Sequence, residues 1–328
     1  MTYSFHKQTF ATAEKYWQEL LPQSVSNNVF LTHYWQKFYW ETMGSSDEDL
    51  LLLTLSDDDD DDVIGIAPMV RKDGVITFLG STDLWDNHDF IIKKGKEGIF
   101  LGAFLEYLEQ DGYTELRLES ILEDSPAVSM LPSMAVDKGY KVDLVREDCL
   151  MAVPLPQTWD EYLMTLRKKD RHELRRKLRR LYSEENVKIT RLNQASEISE
   201  SIGTFLDLMA QSREDKSEFL TSERDAFFRS VSAELAQRGV LQLFFLEING
   251  VKTAATFCFD YNNIRYLYNS GYDLEYASLG TGFLLKALCL QGAICEGKSY
   301  FDLLRGAEPY KSHLGARSKE LYRLSILR

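Results

Sequence analysis

The 328-residue chain has no apolar run approaching 18 residues, so no membrane-spanning helix is expected. Its first ten residues, MTYSFHKQTF, lack the basic-then-apolar pattern of a secretory signal, which points to the cytoplasm. Cysteine is scarce. Cys149, Cys258, Cys289 and Cys295 form no Cys-x-x-Cys pair and none stands at metal spacing from a histidine, so they read as buried free thiols. The five histidines are equally scattered, and no metal is expected. Positive charge is in deficit: the net charge of −13 argues against broad, nonspecific binding to nucleic acid or to an anionic membrane. Even the acidic run Asp57 to Asp62 lacks the spaced ligands and the glycine of a calcium loop, and reads as a solvated, self-repelling hairpin loop.

What remains is an ordinary globular composition, 44% hydrophobic and 27% charged, in a chain long enough for about two domains. Residues 1–23 read as an amphipathic helical lead-in stopped by Pro22. Residues 29–43 read as a helix with Thr32 as N-cap and Trp35, Phe38, Tyr39 and Met43 on its inner face. Strand-like runs follow at 50–55, 63–70 and 75–79. Then come a polar cluster (Asp83, Asp86, His88, Asp89), a helix at 97–110 with Ile99, Phe100, Ala103, Phe104 and Leu108 inward, Gly112, and a strand at 115–118. The same order returns later. Strands at 241–248 and 251–260 flank the hairpin signal Asn249-Gly250, a third strand covers 264–268, and a loop, a helix at 282–296, Gly297 and a strand at 300–303 follow. This recurrence predicts an internal duplication. Pro154-Leu155-Pro156 marks the boundary, giving an N-terminal domain at 1–153 and a C-terminal domain at 154–328.

The two halves differ where chemistry would sit. The second carries Gly280-Thr281-Gly282 before its helix, a layout that offers backbone N–H groups and the positive end of a helix dipole to a phosphate. The first has Gly95-Lys96-Glu97-Gly98, whose glutamate repels a phosphate. It is therefore assigned as scaffold or acceptor-binding copy, with Asp86, His88 and Asp89 as acceptor-site candidates. From Thr158, which forms a capping box with Glu161, a long helix is expected. Its leucine stripe is surrounded by nine cations, among them Arg171 and Arg175, a second candidate anion site in an otherwise acidic chain.

Three segments, Arg171 to Leu181, Ser278 to Gly282, and Phe301 to Gly306 with Glu308 to Lys311, resemble the acyl-CoA acetyltransferase (GNAT) superfamily. The nearest branch is that of the CelD-like (BioF2-like acetyltransferase domain) and FemAB-like proteins. The resemblance implies an α/β, tandem GNAT fold: two similar domains with mixed, mostly antiparallel sheets flanked by helices. It implies acyl transfer from acetyl-CoA or another acyl-CoA to an amine of a small metabolite, sugar or cell-envelope precursor. The donor would lie on Leu279, Gly280, Thr281 and Gly282, with Arg305 beside them. Asp302 is the candidate base and Glu308 its reserve. Lys311 and Arg305 would stabilise the oxyanion or neutralise phosphate, Tyr310 would position the acceptor or protonate the leaving thiolate, and Tyr268 and Tyr272 would wall the pocket. Ala277 stands where the superfamily loop opens with Gln or Arg, so two alternatives stay open. One is a FemAB-like transferase using aminoacyl-tRNA on a peptidoglycan precursor; the other is a catalytically silent binding protein. Nothing in the sequence fixes an oligomeric state.

Overall fold

The leucine-rich run at 49–57 and its neighbours are buried along nearly their whole length, the signature of strands covered on both faces. The computed structural model describes residues 3–57 and 62–328; residues 58–61 of the acidic run lie outside the described residues. The chain divides into two compact units, residues 1–149 with 319–328, and residues 150–318.

The first unit contains β1 (Tyr3–Lys7), α1 (Phe10–Leu20), α2 (His33–Met43), β2 (Asp49–Asp57), β3 (Val63–Lys72), β4 (Val75–Phe78), β5 (Ile91–Ile92), α3 (Glu97–Asp111), β6 (Glu115–Leu122), the short helices α4 (Pro126–Ser129) and α5 (Leu131–Asp137), and most of β7 (Lys141–Pro154). The expected N-terminal helix is thus preceded by a strand, because Tyr3–Lys7 pairs with Leu53–Asp57. Residues 29–31 make a separate 3-10 turn, since the Thr32 hydroxyl donates to the Val29 carbonyl instead of capping α2. The inward face of α3 is Phe100, Leu101, Phe104, Leu105 and Leu108, while Ile99 is exposed. That face packs with Phe5 and Phe90, and Gly65 opposite it leaves no room for a Cβ beside the Phe100 ring. The sheet runs β1-β2-β3-β4-β6 and is completed by the C-terminal strand, whose Leu321–Leu327 pairs antiparallel with β6 and places Leu324 and Ile326 in this core. Residues 319–328 therefore belong to the first unit, not to the second as the boundary at 153/154 implied.

The second unit contains α6 (Trp159–Thr165), α7 (Lys168–Leu181), β8 (Val187–Leu192), α8 (Ala195–Ser212), α9 (Glu214–Phe219), α10 (Ser222–Gln237), β9 (Leu241–Ile248), β10 (Val251–Tyr261), β11 (Ile264–Tyr272), α11 (Thr281–Cys295), β12 (Tyr300–Arg305), α12 (Pro309–His313) and the start of β13 (Arg317–Leu327). The Thr158–Glu161 capping box forms, but the expected long helix is two. Leu166 turns extended to bury its side chain, and Asp170 in the first turn of α7 takes an ion pair from Arg167 at 2.6 Å. Strands β8, β9, β10 and β11 are antiparallel neighbours. Strand β12 joins β11 in parallel and pairs on its other edge with Leu150–Pro154.

Both units share one peculiarity. The parallel pairing of β4 with β6 covers three residue pairs, and that of β11 with β12 also covers three, ending at Tyr266 and Asp302. Beyond those points the strands separate. The repeat legible in the sequence is thus a repeat of antiparallel strands, helix and splayed parallel strand. Among the described residues no helix is long and apolar enough to cross a membrane. Cys149, Cys258 and Cys289 are buried free thiols, whereas Cys295, the last residue of α11, is exposed.

Helix α8 lies so close to β11 that a Cβ on Gly271 would meet the Met209 amide nitrogen at 2.2 Å and the Leu208 carbonyl carbon at 2.3 Å. Gly271→Ala should therefore destabilise the second unit by roughly 3 kcal/mol, the upper end for overpacking. A urea melt of the full chain checks this; an unchanged midpoint would show that α8 rides freely over the sheet.

Candidate active site

After β11, Asp273 accepts the Glu275 amide and starts a 3-10 turn through Leu279. Gly280 then takes φ +73°, a left-handed conformation that glycine adopts without penalty, and the 15-residue α11 begins. Gly282 is a glycine for a different reason: a Cβ there would meet the Tyr272 ring at 2.8 Å. The Thr281 hydroxyl is turned inward toward the Thr253 carbonyl, and no side chain caps the helix. The loop thus presents backbone, as an anion site at a helix N-terminus requires. Helix α7 supplies cations to the same place. Arg180 donates to the Ser278 carbonyl at 3.1 Å, and the Lys177 ammonium lies 5.0 Å from the centre of the Phe283 ring, beside Gly280. Two segments singled out separately in the sequence therefore meet. Of the other cations singled out there, Arg175 is exposed and Arg171 reaches back to the Leu163 carbonyl at 3.4 Å.

The end of β12 is built as a bracket. Leu304 has φ +60°, a costly conformation for a branched side chain, at a bulge between Asp302 and Arg305. Asp302 Oδ1 accepts the Leu304 amide at 2.8 Å. Lys311, only 2% exposed, donates to the Leu304 carbonyl at 3.1 Å and to the Arg305 carbonyl at 2.5 Å, and pairs with Glu308 at 2.9 Å. The candidate base and the candidate oxyanion cation thus both hold the backbone of one strained turn. Tyr310 lies beside them, and its phenol is held well above its ordinary pKa by burial and by the Glu308 charge, so it stays protonated at neutral pH. Of the two tyrosines on β11, Tyr272 faces the glycine loop, whereas Tyr268 lies among Phe228, Phe257 and Phe259.

Two lysines that the sequence reading passed over converge here. Lys286, one turn into α11, is buried; its ammonium donates to the Gly282 carbonyl at 3.2 Å and lies 4.9 Å from the centre of the Tyr310 ring. Lys216 on α9 is half-buried, and its ammonium donates to Asn269 Oδ1 at 2.9 Å and to the Ser270 carbonyl, on the part of β11 that has left β12. Burial pushes Lys216 down to about 7, with help from the Lys286 and Arg213 charges, and pushes Lys286 down to about 8. Asp215 and Glu308 oppose the shift at Lys216. At Lys286, Cys289, Glu308 and Cys258 oppose it and Lys311 adds to it. Lys286 was legible in principle as the one cation inside an otherwise apolar helix. Lys216, within Arg213-Glu214-Asp215-Lys216, carries no such signal.

In the first unit, His88 and Asp89 are interior. His88 stacks on Phe78 at 5.8 Å and meets Trp85 edge-on at 5.0 Å. Asp89 accepts the Ser26 hydroxyl at 2.5 Å, the Ser125 hydroxyl at 2.9 Å and the Phe90 amide, and burial pushes its carboxyl up to about 6. Asp86 is half-buried. At the start of α3, which like α11 has no side-chain cap, Glu97 Oε1 accepts the Gly95 amide at 2.9 Å and sets a negative charge beside the helix start.

Residues 168–312, which hold the glycine loop, the bracket and both lysines, match the acetyltransferase (GNAT) domain family. The second unit carries a GNAT domain. No curated protein sequence matches the chain. Among solved structures it is similar to FemX (TM-score 0.68, 11% identity, 97% of this chain and 96% of that one). It is also similar to L-PGS from Bacillus licheniformis (TM-score 0.55, 11% identity, 88% and 90%) and to a tandem GNAT protein from the clavulanic acid biosynthesis pathway (TM-score 0.54, 11% identity, 99% and 98%). At these identities the likeness is one of fold, and the fold is the tandem GNAT fold. Within the GNAT domain, and among the described residues as a whole, no group of three or more His, Cys, Asp or Glu is placed to hold a metal.

The lysine pair has a consequence for stability. Between about pH 7 and pH 10 the unfolded chain keeps protons on Lys216 and Lys286 that the folded chain has released, so stability should rise with pH across this window, by several kcal/mol. Lys216→Met with Lys286→Met should flatten the rise. Chemical denaturation at pH 7, 8, 9 and 10 reads it.

Proposed function

We propose that the GNAT domain transfers an acyl group from an acyl-CoA to an amine of a small metabolite, sugar or cell-envelope precursor. One observation carries this reading: the uncapped start of α11 at Gly280-Thr281-Gly282, with Lys177 and Arg180 of α7 beside it, offers N–H groups, a helix dipole and two cations to a pyrophosphate. The thioester end would then reach the splay of β11 and β12. Attack by the neutral amine on the thioester carbonyl forms a tetrahedral oxyanion; its collapse breaks the C–S bond and expels a thiolate, which takes up the proton that the amine nitrogen gives up. The Tyr310 phenol, protonated at neutral pH, suits a relay of that proton. Asp302 and Lys311 serve by holding the Leu304 turn, and Glu308 by pairing with Lys311. Arg305 reaches the site through its carbonyl, which Lys311 binds.

Transfer from aminoacyl-tRNA is the second reading. The observation that favours it is the exposed row Arg175, Arg176, Arg179 and Arg180 on α7, which suits a longer polyphosphate backbone.

Thermal unfolding with CoA, acetyl-CoA and longer acyl-CoAs separates the two. A ligand at a hundred times its Kd stabilises by about 2.7 kcal/mol, several degrees of Tm for a unit of this size. Lys177→Ala with Arg180→Ala should lose most of that shift. Absence of any shift at millimolar acyl-CoA would transfer the assignment to aminoacyl-tRNA.

A further inference from the structure

The charges around the end of β12 do not balance. Arg213 is held bidentate by Asp215 at 2.8 and 2.9 Å, and Lys311 is paired with Glu308. Asp302 and Arg305 add one charge of each sign, which leaves two cations with no carboxylate in contact. Lys216 and Lys286 reach only neutral oxygens, Asn269 Oδ1 and Ser270 O for the first and Gly282 O for the second, and each repels a cation nearby. An ammonium drawn into the protein with no carboxylate in contact is expensive, and two beside each other more so. A lysine that served only packing would be replaced by methionine or leucine at no loss. Each ammonium has three N–H donors, and its neutral partners use at most two. Both also sit at the reacting end of the site rather than the phosphate end: Lys286 one turn inside α11 from the glycine loop, Lys216 on the separated part of β11.

We propose that Lys216 and Lys286 form a carboxylate-binding subsite, so that one of the two reacting molecules carries a carboxylate close to the bond being made. This rests on the reading of the second unit as an acyltransferase and specifies its substrate class. The carboxylate belongs either to the acceptor, as in an α-amino acid or a peptide end, or to the acyl group, as in a dicarboxylic half-thioester. The pair has a second effect on an amino-acid acceptor. Its positive field disfavours an entering ammonium, so the amine arrives neutral and ready to attack, while the carboxylate on the same molecule is drawn in.

The test uses the full chain, labelled with 13C at lysine Cε, without any donor present. N-acetylglycine is the probe and N-acetylglycinamide its uncharged counterpart. Two lysine signals should titrate far below the others. N-acetylglycine should move both titrations upward, and the amide should leave them in place. By equilibrium titration, Lys216→Met and Lys286→Met should each weaken N-acetylglycine about tenfold or more, as the loss of a charge-assisted hydrogen bond does. Should either variant fail to fold, the wild-type lysine titrations decide alone. A parallel arm compares succinyl-CoA with acetyl-CoA. Tighter succinyl-CoA binding that Lys286→Met abolishes places the carboxylate on the acyl group; N-acetylglycine binding with no succinyl preference places it on the acceptor. Equal binding of acid and amide, unmoved lysine signals, or displacement of N-acetylglycine by equimolar inorganic phosphate would overturn the proposal. Because no donor is needed, CoA binding without carboxylate binding would sink this inference alone and leave the acyltransferase reading standing.

Discussion

Strand β12 has to part from β11 after Asp302 while keeping its pairing with Leu150–Pro154 on the other side. A chain of L-residues manages this through an irregular turn, and here the turn places Leu304 in the left-handed region. Nothing in leucine favours that conformation, so it persists because its amide and carbonyl are both taken, one by a carboxylate and the other by an ammonium. Release either end and the strand is free to continue alongside β11. The separation of the strands, the exposure of Asn269 and Ser270 to Lys216, and the approach of Tyr310 to Lys286 all hang on that bracket.

The first unit solves the same problem with different chemistry. Strand β6 leaves β4 after three pairs, and Ser120 carries the positive φ, +55°, with its amide accepted by Glu147 at 2.8 Å. A carboxylate again holds the amide of the misfit residue, yet it comes from β7 instead of from two positions upstream. Meanwhile the helix start in this copy carries the negative charge of Glu97, and His88 of the polar cluster beyond β4 is packed among aromatic rings. Both units keep the same strand geometry, and they differ in the charge beside the helix start, an acid in the first turn of α3 and none in that of α11.

Much of this could be read from residues. The order of strands and helices, the glycine loop and the concentration of cations in α7 all follow from local patterning and composition. So does the role of Gly280, because a left-handed helix start leaves a signature in glycine. What could not be read depends on partners far along the chain. Asp302 and Lys311 are, as sequence, polar residues beside a loop; only the bulge reveals that both also hold backbone, one the Leu304 amide and the other the Leu304 and Arg305 carbonyls. Lys216 reads as one charge among several on a short helix, and the groups that take its ammonium, Asn269 and Ser270, lie 53 and 54 positions away. The split between α6 and α7 was hidden for a similar reason. Leu166 has good helix propensity, but its side chain is claimed by a core that includes Gly315.

The placement of residues 319–328 bears on how the chain is made. The second unit is contiguous, residues 150–318, whereas the first waits for a strand that is synthesised after the whole of the second. Until those residues emerge, β6 presents one open edge, with Leu116, Leu118 and Ile121 beneath it. Order of synthesis and order of completion are therefore reversed: the half translated first is finished last. A nascent chain stalled just before residue 319 has every element of its GNAT domain and an unsealed N-terminal sheet, the part of the molecule on which a chaperone or a neighbouring nascent chain would find purchase.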